Sequence, residues 1–331
     1  MRRIKHLLFF ILLLAASLVG GVAYYATRPL TLPAQPFEFS LKQGASLKSA
    51  AKQLQQSGLI QNDLAFVWLA RTLGKTTQIK AGNYALESAV TALGLLDLLT
   101  KGQVSQGEIG IIEGWTFNEF REEINNNPGL SHDSARLSEA EIMQRIGASE
   151  VHAEGLFFPD TYYFAKGSSD LVIYKRAYQT MQKHLQESWQ GRAPDLPLES
   201  PYQALTLASI VEKETGQARD RNMIAGVFIN RLRKGMRLQT DPSVIYGIGD
   251  KFDGNLRKPD LLKDTPYNTY TRSGLTPTPI ALPGLASLQA ALHPAQTDAL
   301  YFVARGDGSS EFSAALVQHN RAVNKFQLHQ K

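Results

Sequence analysis

The chain has no cysteine. That excludes a disulfide framework, a cysteine zinc site and a thiol nucleophile. Its seven histidines form no paired metal motif such as H-E-x-x-H, and His293, within ALHPA, has no partner at ligand spacing. No Walker sequence and no glycine fingerprint after a strand is present, so a phosphate-cradling nucleotide site is not expected. GDG at 306–308 is a hairpin turn signal instead. Excess positive charge is also scarce where it would matter. Arg2, Arg3, Lys5 and Arg28 all precede the first acid, Glu38, and account for +4 of the net +5. The balanced remainder offers no surface for tracking phosphates, which argues against nucleic acid as a partner.

What is present, in 331 residues with 43% hydrophobic side chains, is enough chain for about two folded domains. There is one long apolar run. Residues 7–26, LLFFILLLAASLVGGVAYYA, carry no charge and as a helix would span about 30 Å, the thickness of a bilayer core. Arg2, Arg3 and Lys5 before it predict a cytoplasmic N-terminus over 1–6. A cleaved signal peptide competes, with Gly21-Val22-Ala23 as a small-x-small site. The run exceeds a signal h-region, which favours a permanent transmembrane helix. A proline-bearing linker is expected over 27–36.

Beyond it the pattern is α+β. Phe37, Phe39 and Leu41 alternate at strand period, and Gly44 turns the chain. Leu47, Ala50, Ala51 and Leu54 fall at helical spacing, with Gly58 as a stop. A second helix starts near Asn62 or Asp63 and sets Phe66, Leu69, Ala70 and Leu73 on one face. KAGNYAL at 80–86 returns as a strand, and Thr91 caps a short helix ending near Gly102. Strand period resumes at Ile109 and Ile111. Thr116 and Glu119 form a capping box after Gly114. Helices follow at 138–147 and 170–190, with a loop over 191–201. Phe157, Phe158, Tyr162 and Tyr163 read as a core strand and turn rather than a groove, with Glu154 and Asp160 flanking them.

The chemistry concentrates after residue 204. In ALTLASIVEKETGQA, Leu207, Ile210, Val211, Glu214 and Ala218 share one helical stripe, so Glu214 prolongs an apolar face. Partial desolvation raises a carboxyl pKa and makes it a candidate general acid. The alternative is a glutamate that merely ends a buried stripe. Glu212 lies about 200° around the helix and is expected to pair with Arg219 or another solvent-side cation. Further on, Gln239, Thr240, Asp241 and Ser243 surround Pro242 in an expected turn, and Asn268, Thr269 and Tyr270 follow Pro266. Their amides and hydroxyls suit sugar groups, and Tyr246 and Tyr270 suit sugar faces. Each is equally a turn former or cap.

The words ASIVEKET (208–215), VFINRL, MRLQTDPSVIYG (236–247), YNTYT (267–271), GLFFPDTY (155–162), HPA (293–295) and LYFVARGDGSSEF (300–312) resemble the endolytic murein transglycosylase, or YceG-like, family. The resemblance runs from about residue 38 to 325. It implies a small LysM-like subdomain over 37–105 and a mixed α+β catalytic domain over 106–331. It implies an inner-membrane, single-pass enzyme, its catalytic domain periplasmic, that cuts peptidoglycan glycan strands beside the cytoplasmic membrane without a cofactor or metal. Cooperation with peptidoglycan synthases, and termination of strand growth, belong to the same implication. The family's catalytic glutamate maps to Glu214. Thr276 and Thr278 stand where relatives often show Pro and Gly. The competing classes are a non-catalytic peptidoglycan-binding anchor, a hydrolase using Asp241 as second carboxylate, and a pyridoxal-phosphate enzyme needing Lys213 as Schiff base.

Overall fold

In a computed structural model of the chain, residues 10, 13, 20–32, 37–42, 44–86, 88–102 and 106–328 are described. The chain divides into two compact units, residues 1–107 with 163–168, and 108–162 with 169–331.

The small unit follows the expected order. Strand β1 (Phe37–Leu41) is followed by helices α1 (Leu47–Gln56) and α2 (Asp63–Thr72), strand β2 (Gly82–Leu86) and helix α3 (Ala92–Lys101). β1 and β2 pair antiparallel, Phe39 opposite Tyr84, and those rings stack at 5.4 Å. Ser46, Asn62 and Thr91 cap the three helices with side-chain oxygens, each satisfying an N–H the helix start leaves unpaired. Gly102 ends α3 in the left-handed conformation that a side chain would oppose. Leu54, Phe66, Leu95, Leu96 and Leu99 form the centre of the core. Leu73 departs from expectation. It lies just past the end of α2 and is 46% exposed, because the chain leaves helical geometry there and the stripe no longer points inward.

Most of the apolar run 7–26 lies outside the described residues. Among the described residues, no helix is long and apolar enough to cross a membrane. Residues 20–27 are helical and lie against the small unit. Ala26 is buried in its core, with Val22, Tyr25, Leu30 and Leu32 packed on it. Leu30 N donates to Val90 O at 2.8 Å and Pro29 bridges Thr91, so the first residues of the expected linker are docked. Residues 33–36 lie outside the described set.

The rest of the chain is mostly helical. In chain order come β3 (Gln106–Gly110), α4 (Phe117–Asn126), β4 (Leu130–Ser131), α5 (Glu139–Ile146), β5 (Thr161–Ala165), β6 (Ser168–Ser169), α6 (Leu171–Gln190), α7 (Pro201–Glu214) and α8 (Ala218–Arg233). Then follow α9 (Asp241–Ile248), α10 (Lys258–Leu262), α11 (Leu285–Leu292), β7 (Tyr301–Ala304), β8 (Ser310–Ser313) and α12 (Leu316–Val323). β3 pairs with β5, β4 with β6, and β7 with β8, the last through the GDG turn. The Thr116–Glu119 capping box forms as expected. Phe157 packs with Phe117, Phe120 and Tyr174 in an aromatic cluster, so core rather than groove describes it.

Helix α7 is the axis of this unit. Every residue from Ala204 to Val211 is buried, so the helix is enclosed on all faces rather than along one stripe. It packs chiefly on α11, and also on α6 and α8. The expected helix through Ala218 is two helices. The chain extends at Thr215 and re-enters helix at Ala218, which leaves Glu214 as the last residue of α7.

Candidate active site

Three polar side chains of α7 tie it to loops distant in sequence. Ser209 Oγ accepts from Ile280 N at 3.0 Å, and Lys213 Nζ donates to Gly114 O at 3.0 Å. Glu212 Oε2 accepts from Gly284 N at 2.9 Å, at the start of α11. The expected Glu212–Arg219 pair does not form. A buried helix start with unpaired N–H groups and a positive dipole end binds a carboxylate better than a solvated arginine does. Glu113 lies close by, its carboxyl raised by burial and by the charge of Glu212.

Glu214 projects differently. Thr240 Oγ1 donates to its Oε1 in a short hydrogen bond. Among the described residues, no protein group bonds its other oxygen. Burial pushes its carboxyl up to about 7, and the negative charge of Asp241 adds to this. The Thr240 bond opposes the shift, as does, more weakly, the Arg231 guanidinium. The position at a helix C-terminus also favours the neutral acid, since unpaired carbonyls there carry partial negative charge.

The segment that carries Thr240 is held from both sides. Arg231, on α8, is buried. Its Nε donates to Leu300 O at 2.7 Å and its Nη1 to Leu238 O at 2.8 Å, fixing the chain just before Gln239. Gln239 has φ of 49°, a left-handed backbone uncommon without glycine, and its N–H reaches Thr269 O at 3.1 Å. Thr240 N donates to Thr269 Oγ1 at 3.0 Å, and Ser243 Oγ donates to Thr240 O at 2.8 Å. The expected turn around Pro242 is a helix, α9. Proline is compatible with a first helical turn, and Thr240 takes the N-cap position while giving its hydroxyl to Glu214.

Thus Glu214, Gln239, Thr240, Asp241, Thr269 and Tyr270 are brought together. Tyr270 OH donates to Asp241 Oδ1 at 2.5 Å, and burial with the neighbouring charge of Asp241 raises the phenol. Asn268 is fully buried. Its Nδ2 faces the carbonyls of Asp260, Leu261 and Lys263, at 2.7 Å for the last, and its Oδ1 accepts from Tyr270 N. That side chain shapes the loop. Tyr246 turns away, donating to Glu154 Oε2 at 3.1 Å and meeting the Tyr267 ring edge-on. Glu154 also accepts from Phe117 N at 3.0 Å, and burial pushes it up to about 7.

Two residues escape the sequence reading. Arg231 carried a signal, since it continues the Ile224–Phe228 spacing of a buried stripe. Glu154 carried none, lying in a non-repetitive turn. Among the described residues, no group of three acidic or histidine side chains is arranged to hold a metal.

A model of the YceG-like family matches residues 39–325. The chain is similar to an endolytic murein transglycosylase of Bacillus subtilis (strain 168), 31% identical over 331 residues, covering 93% of this chain and 91% of that protein. It is also similar to an endolytic murein transglycosylase of Streptococcus pneumoniae serotype 2, 27% identical, covering 96% of this chain but spanning 63% of that longer protein. The crystal structure of a yceG-like protein from Listeria monocytogenes aligns with a TM-score of 0.53 and 30% identity, over 87% of this chain and 98% of that one.

Proposed function

The chain belongs to the YceG-like family, and from that premise we propose that it is a lytic transglycosylase of peptidoglycan with Glu214 as its acid and base. The observation that carries this is the half-buried Glu214 carboxyl. It is pushed up to about 7, held by Thr240, with one oxygen left for a substrate.

The reaction breaks the bond between N-acetylmuramic acid C1 and the glycosidic oxygen. Glu214 donates its proton to that oxygen, which leaves as an alcohol. The C6 hydroxyl of the same muramic residue attacks C1, forming the 1,6-anhydro ring, and Glu214 takes the hydroxyl proton. The acid is regenerated and water is not consumed. Intramolecular attack needs no second reactant to be held in place, so one carboxyl suffices. Ordinary glycosidases need two. Asp241, bound to the Tyr270 hydroxyl beside Glu214, is well placed to meet sugar hydroxyls. Gln239 and Tyr270 are assigned to the same glycan-binding rim. Thr269 and Asn268 support that rim, and Tyr246 supports α9 behind it.

The apolar run and the basic residues before it support a single transmembrane helix over 7–26, with the folded units outside an inner membrane. The β1-α1-α2-β2 order of the small unit, its strands antiparallel, supports the LysM-like assignment over 37–105. A membrane-held cutter of new strands would set their length, which fits termination of growth and work beside peptidoglycan synthases.

The test is mass spectrometry of glycan strands incubated with the full chain and with Glu214→Gln. Anhydro-ended fragments from the first and none from the second support the assignment. Reducing ends would support hydrolysis, and intact strands the binding reading.

A further inference from the structure

Helices α1 and α2 both bury an inner face in the core of the small unit, yet their outer faces differ. The outer face of α1 is polar: Lys48, Ser49, Lys52, Gln55 and Gln56 are exposed. α2 buries Phe66, Val67, Leu69 and Ala70, and on its other side leaves Leu64 58% and Trp68 61% exposed. A helix apolar on both sides is expected only where a second apolar or amphipathic medium covers it.

The chain indicates which medium. Asn62, the N-cap of α2, offers its carbonyl to Tyr25 OH at 3.5 Å, and Tyr25 lies in the last turn of the 7–26 run. Arg28 stacks over Tyr24 beside it, with 5.9 Å from guanidinium carbon to ring centre. Aromatic and basic residues at the end of an apolar run mark headgroup level. The start of α2 is therefore tied to headgroup level. Leu64 and Trp68 are one turn apart and share one line of the helix surface, so a helix lying in the interface plane presents both to the same depth. The unit is also basic, with seven Lys and Arg against four Asp and Glu over 37–107.

We propose that the outer face of α2, through Leu64 and Trp68, lies in the headgroup layer of an anionic membrane, so that the small unit rests on the bilayer. The aromatic–aliphatic face enters the interface as an amphipathic helix does, and Arg71 at the end of α2 meets lipid phosphate. This rests on the transmembrane reading of 7–26.

The absence of cysteine makes the test direct. The full chain, carrying one fluorophore-labelled cysteine at Leu64, Trp68, Lys52 or Leu13, is reconstituted into phosphatidylcholine–phosphatidylglycerol vesicles. Nitroxide lipids report depth and aqueous iodide reports exposure. All four side chains are exposed in the protein, so labelling leaves its core intact. The expected result is that labels at Leu64 and Trp68 lose most of their emission to headgroup nitroxide and are shielded from iodide. The label at Lys52 behaves in the opposite way, and the label at Leu13 is quenched from the acyl region. If the labels at Leu64 and Trp68 match Lys52 while Leu13 remains in the acyl region, the docked face is wrong and the anchor stands. If iodide reaches Leu13, the anchor fails and the docked face fails with it.

Discussion

Glu154 and Glu214 are both glutamates whose carboxyls burial pushes up to about 7, but their surroundings differ in kind. Glu154 sits inside the fold. It accepts from Phe117 N at the start of α4 and from Tyr246 OH on α9, so its carboxyl is spent on joining two helices. Glu214 ends a helix, receives one hydroxyl from Thr240, and keeps an oxygen that no protein group among the described residues bonds. A raised pKa is thus common to a structural tie and a proton donor. What separates them is whether a substrate atom has a place to bind. The energetics are shared. An unfolded glutamate titrates near 4.5, and each of these holds its proton to about 7 when folded. Between those values each of these two groups binds more proton in the native state than in the unfolded chain, so the stability it contributes is fully present below about 4.5 and is lost as pH rises through about 7. The loss is on the order of 3 kcal/mol for buried Glu154, and smaller for the partly exposed Glu214.

The largest effect expected to sharpen this contrast is on Glu214→Gln. The amide keeps the Thr240 bond but has no proton to give, so the rate of anhydro-end formation should fall by about two to four orders of magnitude. Circular dichroism and melting should remain native. In the wild type, that rate should decline as pH rises through about 7, because the first step consumes the protonated acid. A rate that climbs through this window would assign Glu214 the role of base first.

Thr240→Val comes next. It removes the hydrogen bond that holds the Glu214 carboxyl down, so the falling limb of the pH–rate profile should move to higher pH. The loss of one charge-assisted hydrogen bond predicts a rate decrease of roughly tenfold. An unmoved limb would break the link between this hydroxyl and the catalytic proton.

Glu154→Gln should act on stability instead. Denaturant titrations between pH 4.5 and pH 7 should lose most of their slope, while the falling limb of the rate profile stays where it was. If the limb moves, the two glutamates titrate as one system and the contrast collapses. Glu212→Gln should be the mildest change, since the amide oxygen still accepts from Gly284 N. Stability should shift by about 1 kcal/mol or less, with near-normal rate.

Local signals in the sequence were faithful to local structure. The alternation at Phe37, Phe39 and Leu41, the caps at Thr91 and Thr116 and the stop at Gly102 all depend on residues within a few positions of one another. Glu214 on an apolar periodicity was legible for the same reason. What was not legible depends on distance in sequence. Nothing near Glu212 announces Gly284, and nothing near Glu154 announces Phe117 or Tyr246. The α9 helix was hidden behind Pro242 and its polar neighbours, whose turn chemistry also suits a helix start. Leu73 departs from its expected place because periodicity continues past the point where the backbone stops being helical.

The clamps around Glu214 grip main chain. Arg231 binds the carbonyls of Leu300, Arg237 and Leu238; Asn268 binds those of Asp260, Leu261 and Lys263; Arg237 Nη1 binds that of Tyr270. A carbonyl is the same whatever side chain follows it, so these contacts do not read the identity of the residues they hold. Exposed positions such as Gln239 and Lys263 can therefore drift in sequence, altering which glycan is favoured, while the path of the loop and the aim of the acid are inherited unchanged.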